Sequence, residues 1–456
     1  MVFLFNNIWR ILFIYAVFEV SQAVNHEQYS GKSLIHKKGY EHEEYKFISK
    51  DGYTITLDRM PNPGLEPILL VPGMLQSSSA FLIQGRRRCL GSILQDNDYD
   101  VWIMNPRGSY KSRDHVKYNA ERDFEYWDFT IHEQAIYDIP GALDTITNIT
   151  HKRFVNYIGH SQGATLALIY FSEFPTHTKN IGTTLLLAPI IGWPERTQEE
   201  ADLLKILYNE LVNHSEKRDL NDQFHAKSWY GKMIRSFCRA YRKKPSGFCE
   251  IFRFIVPGYN RCDKDIPVSE EFLDSMPAGV SFRQVLHYMQ IYMSGQLQGF
   301  DYGPEGNMEK YKQPEPPVYD AGHAKNELSV FYSEDDNICA HDSVHDMFVD
   351  MRGLKDIVLV DGDHFTHNDF LWSPEAYEEV YMEVLWELSG LIHKIQSYMA
   401  MSSTVEFESD ESDESSEESD EDDSHQPKEK RAHQPGHDHS HEKNDDHGHQ
   451  PDKTSS

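Results

Sequence analysis

Phe154-Val155-Asn156-Tyr157-Ile158-Gly159-His160-Ser161-Gln162-Gly163, running on into Ala164–Phe174 (ATLALIYFSEF), is the stretch whose reading decides the fold. Phe154–Ile158 is short, rich in β-branched and aromatic residues, and reads as a strand. Ala164–Phe174 is apolar on nearly every side and reads as a buried helix. The five residues between them must turn the chain sharply. A Gly-x-Ser-x-Gly match alone is a weak signal, but a strand before it and a helix after it give it a mechanism. On that turn the Ser161 hydroxyl is presented outward and the glycines let neighbouring backbones approach. The N–H of Gln162 falls at the helix N-terminus, aimed where an oxyanion would form. The chain's centre therefore reads as a nucleophilic serine.

Working outward, further short apolar runs bounded by Pro, Gly, Asn or Asp recur at Ile68–Val71, Val101–Met104, Thr184–Leu187, Leu328–Tyr332 and Ile357–Val360. Runs apolar on both faces, alternating with helical stretches, predict an α/β fold with a mostly parallel central sheet and helices on both faces. Between Trp193 and Phe300 the strand rhythm stops, and a helical cap is expected over about 195–300. Within it, Lys227–Arg261 carries nine Lys and Arg against the single acid Glu250. That run reads either as a solvated face or as a cationic surface for anionic lipid or the chain's own tail.

A serine nucleophile needs a base, and the base an orienting acid. On an open α/β sheet these lie in loops at the strands' carboxyl ends, in the order Ser, acid, His. Ser333-Glu334-Asp335-Asp336 follows one strand and Asp361-Gly362-Asp363-His364-Phe365-Thr366-His367 follows the next. Ser161, Asp336 and His367 fit that order, and Asp335 and His364 fit it too. A second oxyanion donor belongs after the early strand Ile68–Val71, where Pro72-Gly73-Met74 offers the N–H of Met74. Acyl transfer by such a set needs no metal or organic cofactor.

The 456 residues carry 44 Lys and Arg against 73 Asp and Glu, a net charge of −29, which argues against a nucleic-acid partner. Arg10, the apolar run Ile11–Phe18 and Ser21-Gln22-Ala23 read as a signal peptide over 1–23. Eight apolar residues fall far short of the roughly 20 that span a bilayer, so the expectation is a secreted chain with no transmembrane segment. A lysosome or a yolk granule is the alternative destination. Cys238, Cys249 and Cys262 are candidates for one disulfide in an oxidising compartment, and the odd total of five cysteines leaves the pairing open. Asn148 and Asn213 begin Asn-x-Thr and Asn-x-Ser sites for glycans.

The globular unit is expected over 24–398. From Met401 onward 18 acidic residues stand against 5 basic ones, and the tail over 399–456 is too polar to order itself. Ser415 and Ser419 each precede an acid by three positions, the context of an acidophilic kinase. His437, His439 and His441 have the spacing to hold a divalent cation, or else serve a pH-responsive polar tail.

At this point the chain resembles the acid lipase family, which includes the gastric and lysosomal lipases and insect gut and yolk relatives. The resemblance runs from about Gly39 to Tyr381. It is carried by Asp51-Gly52-Tyr53, Tyr99-Asp100-Val101-Trp102, Asn105-Pro106-Arg107-Gly108, Trp127-Asp128-Phe129, Tyr137-Asp138-Ile139-Pro140, Gly159–Gly163, Pro277-Ala278-Gly279 and His367-Asn368-Asp369-Phe370. It implies an α/β-hydrolase fold and Ser161 as nucleophile, with His367 as base and Asp336 as acid. Met74 and Gln162 would be the oxyanion donors, under a cap that opens at a lipid surface. Trp127, Asp128 and Asp138 match family positions read as packing and helix-stabilising. Three departures stand out: Pro72-Gly73 where the family has His-Gly, Ser333–Asp336 where it has Gly-Gly-x-Asp, and the acidic, His-rich tail. The implied activity is hydrolysis of lipid esters at a lipid–water interface. The competing expectation is a yolk, storage or lipid-binding protein on the same scaffold, with weak or no catalysis.

Overall fold

A computed structural model describes residues 30–175, 180–192, 198–215, 275–336, 338–339, 341–362 and 365–390. The expected signal peptide, Lys227–Arg261, the three clustered cysteines, His364 and the expected tail lie outside the described residues.

Eight strands form one sheet: β1 Glu43–Ile48, β2 Thr54–Met60, β3 Glu66–Val71, β4 Tyr99–Asn105, β5 Val155–His160, β6 Ile181–Leu187, β7 Leu328–Tyr332 and β8 Leu354–Leu359. Their spatial order is β1-β2-β4-β3-β5-β6-β7-β8. The pairs β1–β2 and β2–β4 are antiparallel and every other pair is parallel. All six predicted strands are therefore present.

Successive side chains of a strand point to opposite faces, and the core divides accordingly. Leu69, Val71, Trp102 and Tyr157 face one apolar layer, which contains the helix Gln162–Phe171 stretch and the helix Ile139–Thr150. Ile68, Leu70, Val101 and Ile158 face the other, packed by residues of the helices Gly31–Lys37, Leu90–Asp96 and Met382–Ser389. Each of these fully buried aliphatic side chains is worth roughly 1.5–3 kcal/mol. Double coverage explains why β3 to β7 read as continuous apolar runs. β8 differs: it is an edge strand, only half-buried, with Leu359 exposed.

β1 and β2 were not foreseen, for a physical reason. β1 alternates half-buried with exposed residues, and β2 carries the buried charges Asp58 and Arg59. Both charges are compensated. Arg59 donates to both oxygens of Asp100, at 2.9 and 3.0 Å, and to Glu43 at 2.8 Å. Asp58 accepts from Ser78 Oγ at 2.6 Å and Asn105 Nδ2 at 2.8 Å, with His42 Nε2 at 2.7 Å.

Of the expected cap, two helices are described, Gln198–Ser215 and Phe282–Ser294. Leu204, Tyr208 and Leu211 of the first pack against Phe282, Leu286 and Met289 of the second. The latter helix starts at a capping box, in which Ser281 Oγ accepts from Gln284 N and Gln284 Oε1 accepts from Ser281 N.

Candidate active site

Ser161 is the single residue between β5 and the helix Gln162–Glu173, which we name α1. Its backbone sits at φ 55°, ψ −118°, in the sparsely populated region that signals strain at a functional turn. Close packing around it holds that strain. A side chain on Gly159 would overlap the backbone of Gly163, and one on Gly163 would overlap the Val71 carbonyl at the end of β3. The two glycines thus let α1 lie directly on the sheet, and the Ser161 amide donates to Leu187 O of β6 at 2.9 Å.

The loops after β7 and β8 converge on this serine. His367 Nε2 lies 2.7 Å from Ser161 Oγ, and His367 Nδ1 lies 2.8 Å from Asp336 Oδ2. The other carboxylate oxygen of Asp336 accepts from the amides of Ile338 and Cys339, at 2.8 and 3.0 Å. Asp336 is buried whereas Asp335 is exposed, so the structure brings Asp336, not its neighbour, to the imidazole. Ser333, one of the family departures, donates its hydroxyl to Phe365 O at 2.6 Å and ties the acid's loop to the histidine's. Thr366 and Asp369 close the latter loop, with Asp369 Oδ2 accepting from Thr366 N and Oγ1 at 2.7 Å each.

On the opposite side of Ser161 runs the loop after β3. Gly73 lies against the serine, since a Cβ built on it would stand 3.1 Å from Ser161 Cβ. Pro72 has no N–H, and the Gly73 amide is committed to Gln76 Oε1 at 2.9 Å. Neither Pro72 nor Gly73 thus competes with the Met74 amide as the candidate donor on this loop. The neighbouring Leu75 takes a left-handed φ of 64° and its carbonyl accepts from Ala278 N at 2.7 Å. This contact gives the Pro277-Ala278-Gly279 motif a purpose that spacing did not reveal: it pins the Met74 loop. Gln162 is the first residue of α1, so its N–H has no carbonyl one turn earlier to bond.

Asp138 and Trp127 sit in buried contacts away from Ser161, His367 and Asp336. Arg107, fully buried, bonds Asp138 at 2.6 Å and Asp51 at 2.6 and 3.1 Å, with its guanidinium 4.1 Å from the Tyr53 ring centre. Trp127 packs against Gly108 and donates its indole N–H to Ala120 O at 2.9 Å. Asp128 pairs with Arg283 of the helix Phe282–Ser294.

Among the described residues no group of His, Cys, Asp and Glu is placed to hold a metal ion, and no helix is long and apolar enough to cross a membrane. Asn148 is exposed, and Cys89 and Cys339 are buried free thiols.

Comparison with known proteins agrees with this fold. The family described as α/β hydrolase fold matches residues 66–211, and that described as a partial α/β-hydrolase lipase region matches residues 32–85. Lipase 1 of Drosophila melanogaster is 30% identical over 354 residues, spanning 77% of this chain and 78% of its own. Lipase member K of Homo sapiens is 30% identical across 76% of this chain and 87% of its own. Gastric triacylglycerol lipase of Homo sapiens is 28% identical across 77% of this chain and 88% of its own. A solved structure from Sulfolobus solfataricus, presented as a candidate lipase, shares the fold with a TM-score of 0.50 at 16% identity, over 77% of this chain and 94% of that one. The chain belongs to the acid lipase family of α/β-hydrolase-fold ester hydrolases.

Proposed function

We propose that Ser161, His367 and Asp336 are the catalytic triad of a two-step acyl transfer that cleaves acyl esters of neutral lipids. His367 takes the Ser161 proton as Oγ attacks the ester carbonyl, and the amides of Met74 and Gln162 hold the oxyanion. The protonated His367 then gives its proton to the departing alcohol, leaving an acyl-serine. Water, deprotonated by the same imidazole, releases the fatty acid. Asp336 keeps the Nδ1–H tautomer and steadies the imidazolium.

The observation that carries this reading is the unbroken chain from Ser161 Oγ through His367 to Asp336, at 2.7 and 2.8 Å. A storage or lipid-binding role makes no demand on that alignment, which favours catalysis. The apolar leader and the likeness to gastric triacylglycerol lipases support secretion, or delivery to a lysosome, and a triacylglycerol as substrate.

The test is hydrolysis of short- and long-chain esters, with and without an emulsified surface, by wild type and Ser161→Ala. Activity lost in the variant supports the serine mechanism, and a surface requirement supports a lipase. A folded wild type without turnover would sink it and favour storage.

A further inference from the structure

Three glutamines from distant parts of the chain meet beside the nucleophile. Gln162 is the first residue of α1, Gln134 opens the π-helical turn Gln134–Asp138, and Gln284 is the N3 residue of the helix Phe282–Ser294. Their side-chain amides close a triangle. Gln162 Nε2 donates to Gln134 Oε1 at 3.0 Å, Gln284 Nε2 donates to the same oxygen at 3.0 Å, and Gln284 Nε2 also donates to Gln162 Oε1 at 3.2 Å. All three residues are at most 2% exposed. The remaining oxygen of Gln284 accepts from Ser281 N at 3.0 Å, and Ser281 Oγ donates to Phe129 O at 2.6 Å.

Burying an amide without partners costs about 1–3 kcal/mol. Here each of the three is bonded to the other two, and a connected buried network favours a single arrangement. Its position gives that arrangement a consequence. The N–H of Gln162 belongs to the same residue whose side chain is clamped from both sides. Oxyanion stabilisation depends on a donor held in place before the charge develops, because a donor that must first be ordered loses part of its effect.

We propose that Gln134 and Gln284 are positioning residues for the oxyanion donor Gln162, so that the helix Phe282–Ser294, lying within the expected cap, sets the efficiency of the reaction centre. This rests on the proposed serine mechanism and adds to it two residues that touch no reacting atom.

The experiment uses the full chain and a soluble short-chain p-nitrophenyl ester, with Gln284→Met, Gln134→Met and the double variant. An alkylboronic acid, which adds to the serine oxygen as a tetrahedral boronate, reports on transition-state binding. The expected result is a fall in kcat of about ten- to a hundredfold in each single variant, below the 10²–10³ of deleting a donor outright. KM stays within about twofold, and the boronate inhibition constant rises in step with the fall in kcat. The double variant is expected to be no worse than the poorer single one, since the triangle opens at its first break.

Unchanged kcat in a folded variant, a rise in KM alone, or multiplicative losses would each overturn the proposal. Melting temperatures identify misfolded protein. Should Gln284→Met fail to fold because Ser281 loses its cap, Gln134→Met carries the test, as it touches no capping box. Ser161→Ala separates the two ideas: if it stays active the mechanism itself fails, whereas a dead Ser161→Ala beside unimpaired glutamine variants refutes the positioning role alone.

Discussion

His160 reaches past the serine it precedes and hydrogen-bonds the backbone of the residue that would activate it: His160 Nε2 lies 2.9 Å from the carbonyl oxygen of His367. Since a carbonyl only accepts, Nε2 carries the proton. The two rings are 5.1 Å apart, and Nδ1 of His160 has no hydrogen-bond partner among the described residues. Burial, with the nearby charge of His367, pushes the His160 pKa down to about 3. The side chain thus holds the proposed base in place while staying neutral itself. His160→Leu is expected to lower kcat about tenfold, whereas His160→Gln, which keeps an N–H near that carbonyl, should retain most activity. Equal losses in both variants, measured by steady-state kinetics, would assign the effect to ring packing.

The acid's identity is separable in the same assay. Asp336→Asn is expected to reduce kcat by about 10⁴, the effect of forcing the wrong histidine tautomer. Asp335→Asn, altering an exposed carboxylate, should lie within about twofold of wild type. The reverse ranking would move the acid role to Asp335.

Arg107 is a stability element remote from the chemistry. Removing a buried charge whose partners remain costs about 3–5 kcal/mol. Arg107→Met is accordingly expected to lower the urea unfolding free energy by that amount, because Asp138 stays fully buried without its cation. Asp51→Asn should cost about 1 kcal/mol, since Asp51 is partly solvated. A loss below 1 kcal/mol in Arg107→Met would contradict this account.

Acid should weaken the fold before it denatures it. Burial lowers His287 to about 4 and His160 to about 3. Both are below the ordinary 6.5, so between those values the unfolded chain binds the extra protons. Stability from these two groups is therefore full above about pH 6.5 and declines as pH falls toward their folded values. Glu133 adds to the trend. Burial alone would raise its carboxyl, but the charge of His132 and hydrogen bonds from Thr130 hold it at about 2. Its contribution is present above about pH 4.5 and is lost as pH falls toward 2. Asp138 opposes them, since burial raises its carboxyl to about 6 and the folded chain then holds the extra proton as pH falls below that. The His287 share is read as the difference in slope of unfolding free energy between wild type and His287→Gln from pH 6.5 to 4. An unchanged slope in that variant would exclude His287 as a source.

How much of this was legible follows from where the information lies. The turn at Ser161 could be read because a strand, a glycine pair and an apolar helix are contiguous, and periodicity reports on contiguous residues. Asp336 and His367 could be placed by loop and order, but Asp335 and His364 shared both. What separates the two carboxylates is the fold of the loop, which buries Asp336 under the amides of Ile338 and Cys339 and leaves Asp335 exposed. β1 and β2 escaped because Asp58 and Arg59 break an apolar pattern yet are buried against Asn105 and Asp100, partners about 40 residues away or more. The glutamine triangle joins positions 134, 162 and 284, and nothing in a lone glutamine announces such a partner.

That triangle has a consequence for adaptation. It contains only amides, which neither gain nor lose a proton at any pH where the chain is folded. The serine is thereby flanked on one side by the Asp336 and His367 loops and on the other by a cluster whose hydrogen bonds are blind to acidity. Substitutions in the two loops can therefore alter one flank of the serine while the hydrogen bonds beside the proposed oxyanion donor keep the same protonation from acid to neutral solution.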